Sequence, residues 1–430
     1  MNLEKGSFLS VTGSITGSGF KGVGSNLFFM TGDISFSDGT FYIQPRIRPL
    51  DGFVVNNDNA KAVGGALNVI ATEKDQAFVP IFEGFTYFTH PEDLVTALNE
   101  MQPALLKGQA LAGENNALKV QDTLSFRMQS LLDSVHCLSL GQEGCEKKEK
   151  TVHIWLDGFG DILHQKSIFF QGSPQFGYQT KTSGAVLGVD GHFAEYFYAG
   201  VLGAYTGSKT HWTEGQGNGT ITSGYGGMYF SALGDLFYGN ASLVGGFGHL
   251  TEHRKIIYPG MNATASNHHG TSLLLSHVDT GLNFGGKGWT LRPFDSLDCI
   301  TQTEQKFTES GAGALNLSVQ KSNAILLSNE LGLQIAGCFC WKETTWTFSP
   351  KISWVREVRV HGKHYTAQFE GTDASFVVTG YFPDRSLVSP GVLISGTMLQ
   401  GLLHLDLYYN GEFGQKFSDH SFGGELRFGF

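Results

Sequence analysis

The stretch LHLDLYYN, residues 403–410, decides the fold of this chain. Apolar and polar side chains take turns along it. The first set is Leu403, Leu405, Leu407 and Tyr409, and the second is His404, Asp406, Tyr408 and Asn410. Successive side chains of a β-strand point to opposite faces of the sheet, so this alternation predicts a strand with one apolar face and one polar face.

The same two-faced pattern continues to the carboxyl end, SFGGELRFGF, residues 421–430. There Phe422, Leu426, Phe428 and Phe430 share a face, opposite Glu425, Arg427 and Gly429. Segments of this kind, parted by turns, recur from residue 151 onward, and about twelve of them can be counted, an even number that suits a closed antiparallel barrel. We therefore expect an all-β region over residues 151–430: a roughly twelve-stranded transmembrane β-barrel with apolar side chains toward lipid.

Closure of the sheet is a physical requirement in lipid, because the edge strands of an open sheet would leave N–H and C=O groups unpaired. A soluble β-sandwich also alternates and is the competing interpretation. Aromatic residues at strand ends and an aromatic last residue favour the membrane. These residues are Trp289, Trp346, Trp354, Tyr409 and Phe430.

Composition narrows the class of protein further. Charged residues are 16% of the 430, and there are 58 glycines and 34 phenylalanines. The mean hydropathy of -0.09 is too low for a bundle of membrane helices, and no run approaches the roughly 20 apolar residues that a spanning helix needs. The net charge is -10 and no long Lys/Arg run occurs, which argues against a nucleic-acid partner.

The part before the barrel divides in two. Residues 1–90 contain short β-prone runs between Gly, Ser, Asn and Asp turns, so a β-rich region is expected. Residues 91–150 instead show helical spacing, at Leu94, Leu98, Met101 and Leu105, and at Leu124, Met128, Leu131, Leu132 and Val135. Two helices are predicted, the second capped near Asp122 and stopped at Gly141.

No catalytic, cofactor or metal site is predicted. The chain has no G-x-S-x-G, H-E-x-x-H or P-loop motif, and its five cysteines include no C-x-x-C pair. His268 and His269 are expected in a loop. The acidic residues expected in the lumen are Asp157, Asp161, Asp190, Asp279, Glu330, Asp406 and Glu425, paired with Arg292, Lys351 and Arg427.

Three segments carry a resemblance to a known family. WLDGFG (155–160), GAVLGVD (184–190) and GVLGAYT (200–206) resemble the opening strands of autotransporter barrel domains, which have an aromatic-rich first strand and a G-x-x-x-G-x-D second strand. The likeness continues through LRPF (291–294) and NELG (329–332) to the final residue. It implies a translocator of the bacterial outer membrane, with a helix threaded through the lumen over residues 123–138 and the N-terminal region at the cell surface.

The resemblance also implies partners. In that family an aromatic C-terminus, here Phe428 and Phe430, is the assembly signal that the outer-membrane insertion machinery reads. The barrel would be surrounded by outer-membrane lipid. Residues 1–24 lack the continuous apolar segment of a secretory signal, so we expect the true start to lie upstream or the chain to be a fragment.

A second resemblance lies in the N-terminal region. FVVN, residues 53–56, and GGAL, residues 64–67, resemble the F-x-x-N and G-G-A-[ILV] repeats of chlamydial polymorphic outer membrane proteins. It implies a short β-helix-like passenger remnant, with Phe53 inside, Asn56 turning the chain, and Gly64, Gly65, Ala66 and Leu67 at a corner. The alternative is a Gly-rich turn.

Asn115 and Asn116 form a pair just before the predicted pore helix. Some autotransporters cut themselves at such a pair, where the side-chain amide attacks its own backbone carbonyl with help from a lumen acid. The resemblance makes this pair a candidate cleavage site, although a loop is expected here.

Two functions remain open. The first is a non-enzymatic translocator that exports or anchors a short β-rich surface passenger, which acts in adhesion or antigen display and binds a host-cell surface ligand. The second is an outer-membrane pore or a barrel enzyme that acts through lumen or rim residues. What occupies the lumen distinguishes them, because a pore-filling helix favours a translocator and an empty lumen favours a channel.

Overall fold

The computed structural model describes residues 6–10, 29–37, 40–103, 106–139, 151–170, 173–194, 196–286, 288–341, 344–380 and 384–430. The helices are α1 (Asp58–Glu73), α2 (Val79–Gly84), α3 (Pro91–Glu100) and α4 (Leu106–Ser139). The strands are β1 (Gly6–Ser10), β2 (Met30–Ser37), β3 (Thr40–Ile47), β4 (Val152–Gln165), β5 (Ile168–Phe170), β6 (Ser173–Gln175), β7 (Tyr178–Ala194), β8 (Phe197–Trp212), β9 (Gly217–Leu233), β10 (Phe237–Tyr258), β11 (Met261–Leu282), β12 (Phe284–Gly286), β13 (Trp289–Glu304), β14 (Phe307–Thr308), β15 (Leu317–Val319), β16 (Ser322–Trp341), β17 (Thr344–His361), β18 (His364–Phe369), β19 (Ser375–Thr379), β20 (Arg385–Met398), β21 (Leu403–Gly414) and β22 (Phe417–Gly429). Within the described residues, no helix is both long and apolar enough to cross a membrane.

The barrel is a closed ring of twelve antiparallel strands. In order around the ring they are β4, β7, β8, β9, β10, β11, β13, β16, β17, β20, β21 and β22. The last strand pairs with the first, so that Phe417 lies opposite Gln165 and Gly429 opposite His153. Closure leaves none of the twelve as an edge strand. The predicted barrel, including the approximate strand number, is confirmed.

The two faces of the wall follow the alternation in the sequence. On β21, Leu407 is 53% exposed on the outside, whereas Asp406 is 3% exposed on the inside. On β22, Phe428 is 47% exposed and Glu425 is 3% exposed. An apolar exterior around a polar interior is the reverse of a soluble protein, and it fits a wall that faces lipid.

The two ends of the barrel differ in their connections. At one end, here called the short-turn end, residues 234–236 join β9 to β10 and residues 399–402 join β20 to β21. At the other, here called the long-loop end, residues 305–321 join β13 to β16 and residues 362–384 join β17 to β20. The long connections carry a sheet of their own in the order β14-β15-β18-β19, here called the loop sheet.

Helices α1 to α3 and their connections, residues 50–103, form a cap on the loop sheet. Asn59 of α1 pairs with the backbone of Thr379 in β19, donating to its carbonyl at 2.8 Å and accepting from its N–H at 2.7 Å. Phe78 packs edge-on against Phe369 of β18, with ring centroids 5.5 Å apart. The cap and the loop sheet therefore share one apolar core at the long-loop end.

A polar contact also ties the cap to the barrel. Gln216, between β8 and β9, donates to the Glu100 carboxylate at the end of α3, at 2.9 Å. Burial raises the pKa of the Glu100 carboxyl to about 7, because the charged form loses hydration there. The carboxyl consequently carries less charge near neutral pH than an exposed glutamate would.

The β-helix interpretation of residues 64–67 is wrong, since Gly64, Gly65, Ala66 and Leu67 all lie in helix α1. The Asn57 side chain caps this helix by accepting from the Ala60 N–H at 3.0 Å, a common start signal for a helix. Residues at helical spacing then turn inward together. They are Ala60, Val63, Leu67 and Ile70, all fully buried.

Two details of that interpretation agree with the structure. Asn56 does turn the chain, with a positive φ of 58°, a conformation that asparagine adopts more readily than most residues. Phe53 packs half-buried against the cap core. Gly64 is needed for a different reason, because a Cβ there would come within 3.0 Å of the Asp51 backbone nitrogen.

The boundaries of the pore helix also differ from the prediction. One 34-residue helix, α4, runs from Leu106 to Ser139, so the cap expected near Asp122 is wrong. Apolar residues at helical spacing continue upstream of Asp122 through Ala117 and Val120, which are fully buried. Gly141, the predicted stop of the helix, lies outside the described residues.

Inside the barrel, aromatic rings lie flat over glycines of the neighbouring strand. A Cβ added at Gly188 would fall 2.3 Å from the Trp155 ring, and one at Gly200 would fall 2.4 Å from the Tyr229 ring. Gly423 stands in the same relation to Tyr408, at 2.3 Å. Glycine is thus required at these positions for the close approach of the ring to the backbone.

We expect Gly188→Ala to destabilise the barrel by about 1–3 kcal/mol, because the Trp155 ring must leave its position to admit the methyl group. The matched control is Gly158→Ala, since a Cβ at Gly158 meets nothing within 4 Å. Resistance to unfolding in SDS on stepwise heating measures the difference. Equal transition temperatures for the two variants would contradict the packing argument.

Candidate functional site

The lumen is occupied by helix α4, which runs from the long-loop end to the short-turn end. Near its start Glu114 forms an ion pair with Arg359, close to the long-loop end of β17. Near its end Asp133 forms an ion pair with Arg292, close to the short-turn end of β13. The described side chains of α4 are buried or half-buried all around the helix, so it plugs the pore.

One side of α4 is apolar. Ala117, Val120, Leu124 and Met128 follow helical spacing and are fully buried. They pack against apolar groups on the lumen wall, which are Trp155, Phe159, Val186, Leu202, Tyr225, Tyr229, Val244, Leu275, Ile300 and Leu326. Close apolar packing on this side fixes which face of the helix turns toward strands β4 to β16.

The other side of α4 is bound by polar contacts at several levels. In the part of the helix toward the long-loop end, the Lys119 ammonium lies 2.9 Å from Asp419 and 3.8 Å from Asp161. All three side chains are buried. One turn earlier, Asn116 accepts hydrogen bonds from Thr182 at 3.1 Å and Ser208 at 2.6 Å. Four different barrel strands supply these partners: β4 carries Asp161, β7 carries Thr182, β8 carries Ser208 and β22 carries Asp419.

Arg127 lies at the centre of a buried polar cluster in the lumen. Its guanidinium binds the Asp190 carboxylate in a fork, at 2.8 and 2.7 Å, and reaches Glu425 at 3.4 Å. Asp190 also accepts from the Tyr229 hydroxyl at 2.5 Å and contacts His153 at 3.1 Å. Fork-shaped Arg–carboxylate pairs are geometrically specific, so this cluster fixes the depth and rotation of the helix.

Toward the short-turn end, the helix is held by Asp133. Besides the ion pair with Arg292, Asp133 accepts from the Ser349 hydroxyl at 2.5 Å. Ser130, one turn earlier, accepts from Arg427 at 3.3 Å. Arg127, Ser130 and Asp133 thus all contact groups of the lumen wall, as expected for a helix threaded through the lumen. Gln129 instead lines a small cavity, of about 70 Å³, between the helix and the wall.

The predicted lumen acids are inside the barrel. Asp157, Asp161, Asp190, Asp406 and Glu425 are buried, while Asp279 and Glu330 are half-buried. Lys351 pairs with Glu330 at 3.0 Å, and Arg427 lies 4.0 Å from Asp406 and 3.9 Å from Glu425, as predicted. Arg292 pairs with Asp133 of the helix.

The sequence did not predict the polar contacts of the helix toward the long-loop end. Glu114, Lys119 and Arg359 were not singled out, because the helix was predicted to begin near Asp122. The signal was present in the spacing of Ala117, Val120 and Leu124, which continues the pattern toward the N-terminus.

Asn115 and Asn116 lie within helix α4, so the prediction of a loop at this position is wrong. The physical reason is again that the apolar helical spacing extends through them. Asn115 Nδ2 donates to Asp161 Oδ2 at 3.1 Å, with both side chains buried. A lumen acid therefore contacts the amide that the candidate cleavage would use.

The C-terminal aromatics point outward from β22. Phe430 is 64% exposed and Phe428 is 47% exposed. The Phe430 backbone pairs with Val152, donating to its carbonyl at 2.9 Å, and accepts from the Thr151 N–H at 3.1 Å. The last residue is thus held by its backbone, while its ring stays available on the outer face.

The two adjacent histidines lie in strand β11 instead of a loop. His268 is exposed on the outer face, whereas His269 is buried and stacks on Phe307 with ring centroids 4.2 Å apart. Opposite directions for neighbouring residues are what a strand imposes. Among the described residues, no group of three or more His, Cys, Asp or Glu side chains is arranged to hold a metal ion.

A twelve-stranded barrel with an apolar exterior and a helix through its lumen defines an outer-membrane translocator. The chain belongs to the autotransporter beta-domain family, which it matches over residues 154–410. This part of an autotransporter exports the passenger across the outer membrane.

Two individual proteins illustrate what this chain is similar to. An extracellular serine protease of Serratia marcescens is 22% identical over 379 residues, which are 86% of this chain and 34% of that protein. The chain thus spans about a third of the length of the curated relative it matches. The translocator domain of the autotransporter NalP from Neisseria meningitidis has a similar fold, with a TM-score of 0.54 and 14% identity over 74% of this chain and 98% of that one.

We expect Arg127→Ala to loosen the plug, because it leaves Asp190 and Glu425 buried without their cation, at a cost of about 3–5 kcal/mol. Labelling of a Ser130→Cys reporter by a bulky thiol reagent, after the native cysteines are replaced, measures access to the lumen. Labelling should be slow with Arg127 present and much faster without it.

The control for this experiment is Arg356→Ala. Arg356 forms an ion pair with Asp384 at 3.6 Å, with both side chains about 40% exposed, and such pairs contribute little. Labelling at Ser130→Cys should stay slow in that background. Equal labelling rates in the Arg127→Ala and Arg356→Ala backgrounds would mean that the Arg127 cluster does not hold the helix.

Proposed function

We propose that the barrel carries the cap and the residues before it to the cell surface and holds them there for adhesion or antigen display. The supporting observation is the path of the chain, because α4 leads from the barrel interior to the cap at the long-loop end. In outer-membrane barrels the short turns face the periplasm and the long loops face outward. The cap would then lie outside the cell.

The plugged lumen favours a translocator over an open pore. The helix makes close contacts on both its apolar and its polar sides, and the cavities beside it that involve the described residues are small. Barrel acids that an enzyme would need are engaged by other groups, as Asp190 is by Arg127 of the helix and Glu330 is by Lys351 of the wall. In this proposal the chain turns over no separate substrate and needs no cofactor.

The displayed surface is the exposed side of the cap. Val55 is 76% exposed and Tyr87 is 67% exposed there, and exposed aromatic side chains commonly anchor protein contacts. The proposed partner is a ligand on the host-cell surface. The F-x-x-N and G-G-A-[ILV] motifs support a relationship with the chlamydial polymorphic outer membrane proteins, although residues 64–67 are helical here.

A surface location of the cap can be tested with an epitope inserted after Lys74, in the exposed turn between α1 and α2. When the chain is fused to a secretory signal, this epitope should bind antibody on intact cells. An epitope inserted after Gln400, in a short turn, should bind only after lysis. Flow cytometry with and without permeabilisation checks both. Antibody binding to the Gln400 insertion on intact cells would reverse the orientation.

Deleting Phe430 from the chain that carries the epitope after Lys74 tests the assembly signal. The insertion machinery is the proposed reader of Phe428 and Phe430, whose rings are exposed on the outer face. Surface binding should be lost, while the purified chain should still refold in detergent. Unchanged display would remove Phe430 as the signal, and failed refolding would give it a structural role.

A second candidate activity is self-cleavage between Asn115 and Asn116, favoured by the contact of Asn115 Nδ2 with Asp161. The amide nitrogen would attack the Asn115 carbonyl carbon and close a succinimide, while Asp161 accepts its proton. The peptide bond to Asn116 breaks, and Asn116 leaves as a free amine after gaining a proton. The cap would stay bound through its core with the loop sheet.

If the chain cleaves itself, the boiled outer-membrane fraction should contain a fragment that begins at Asn116. Mass spectrometry identifies this fragment. Asn115→Ala should abolish the fragment because it removes the nucleophile. Asn116→Ser should retain it, since residue 116 supplies only the leaving amine. A wild-type chain that stays intact in the outer membrane would exclude the activity.

A further inference from the structure

Basic side chains form a band on the outer face of the barrel, toward its long-loop end. Lys181 of β7 and Lys209 of β8 lie directly opposite each other. The band consists of these two lysines with His164, His211, His249, His253, Lys255 and His268, which point outward from strands β4, β7, β8, β10 and β11. All of them are exposed except His253, which is half-buried.

The strands that carry this band contribute no carboxylate to the outer face beside it. The whole chain has 39 acidic residues against 29 basic ones, yet no Asp or Glu occupies an outward position between 160 and 164, 179 and 183, 207 and 211, 218 and 222, or 249 and 270. Like charges directly opposite each other on neighbouring strands are destabilising. In the described part of the chain, neither Lys181 nor Lys209 has a carboxylate partner.

The height of the band is set by the side chains below it. Moving toward the short-turn end, the outward positions lead past Gly207 to Tyr205 on β8 and past Ser183 and Ala185 to Leu187 on β7. Tyr205 is 60% and Leu187 56% exposed, and on β10 Phe247, directly below His249, is 79% exposed. The lysines therefore stand just above the upper border of the apolar belt. With the long loops outward, that border is the headgroup level of the outer leaflet, where lysine keeps its charge in the polar zone.

The surface just below the lysines is shallow. Outward glycines line it, and a Cβ added at any of them would meet nothing within 4 Å: Gly158, Gly207, Gly224, Gly226 and Gly245. Tyr205 and Phe247 project on either side of Gly224 and Gly226 across the neighbouring strands. An acyl chain can reach the backbone in this depression, between the two rings.

We infer that this face binds a phosphorylated lipid of the outer leaflet. Its phosphate lies between Lys181 and Lys209, and its acyl chains lie along the glycine-lined surface. An ammonium is a compact donor suited to phosphate, and the flanking histidines can donate further hydrogen bonds to a headgroup. A bound phosphate also offsets the repulsion between the two lysines.

The test compares Lys181→Gln/Lys209→Gln with wild type, using the full chain refolded in detergent. The probe is diphosphorylated lipid A, and its dephosphorylated form is the second probe, with binding measured by native mass spectrometry. We expect the double variant to bind the diphosphorylated lipid roughly thirtyfold more weakly, from about a fivefold loss for each lysine near an anionic headgroup. The dephosphorylated lipid should bind both proteins equally weakly.

The control variant is Lys306→Gln/Lys321→Gln, which removes two exposed lysines from the loop between β13 and β16. It should bind lipid A like the wild type, and heat modifiability in SDS should verify that each variant is folded. Equal affinities of the two double variants would overturn the proposal, as would equal binding of both lipids by wild type. Full displacement of the lipid by an equal concentration of inorganic phosphate would exclude a contribution from the acyl chains and overturn the lipid assignment.

Discussion

Closure of the hydrogen-bond ladder between β22 and β4 is the constraint on which the rest of this structure depends. In hydrocarbon no water can satisfy an edge strand, so each backbone N–H and C=O of the wall must find a partner in the next strand. The ladder runs from Phe417 opposite Gln165 to Gly429 opposite His153, and Phe430 extends it by pairing with Val152. Once the ring is closed, every strand has one face toward lipid and one toward the lumen.

A closed ring of this size encloses a space that side chains from the wall alone do not fill. Helix α4 fills it, with packing on one side and ion pairs on the other. Buried ion pairs add little net stability, because desolvation offsets their attraction, but breaking one is costly. The pairs of Glu114, Lys119, Arg127 and Asp133 with the wall thus specify the position of the helix more than they stabilise the barrel. Arg127 is the most constraining of them, since its fork geometry admits little displacement.

The cap couples the helix to the loops above it. Its apolar core continues into the loop sheet through Phe78 and Phe369, so neither part buries its apolar surface without the other. Helix α4 is held toward both ends of the lumen, by Glu114 near the long-loop end and by Asp133 near the short-turn end. The outer face has its own division, with an apolar belt below and the basic band above. The pairing of Lys181 with Lys209 costs stability in isolation, which an anionic headgroup would offset.

The sequence by itself determined the strands, their inner and outer faces and the terminal aromatic, because alternation with a period of two is local and survives any arrangement of the neighbours. It also determined that a helix precedes the barrel. Only the tertiary structure decided where α4 begins, since the burial of Ala117 and Val120 depends on the lumen wall. The helical state of Gly64 to Leu67 depends likewise on the core that Val63 and Leu67 enter, and a four-residue motif contains too little information to exclude a β-turn. Three further features join residues that are far apart in the chain. They are the partners of Arg127 and Lys119, the position of the cap on the loop sheet, and the basic band. No local pattern can predict them, because ring closure and strand register bring these residues together.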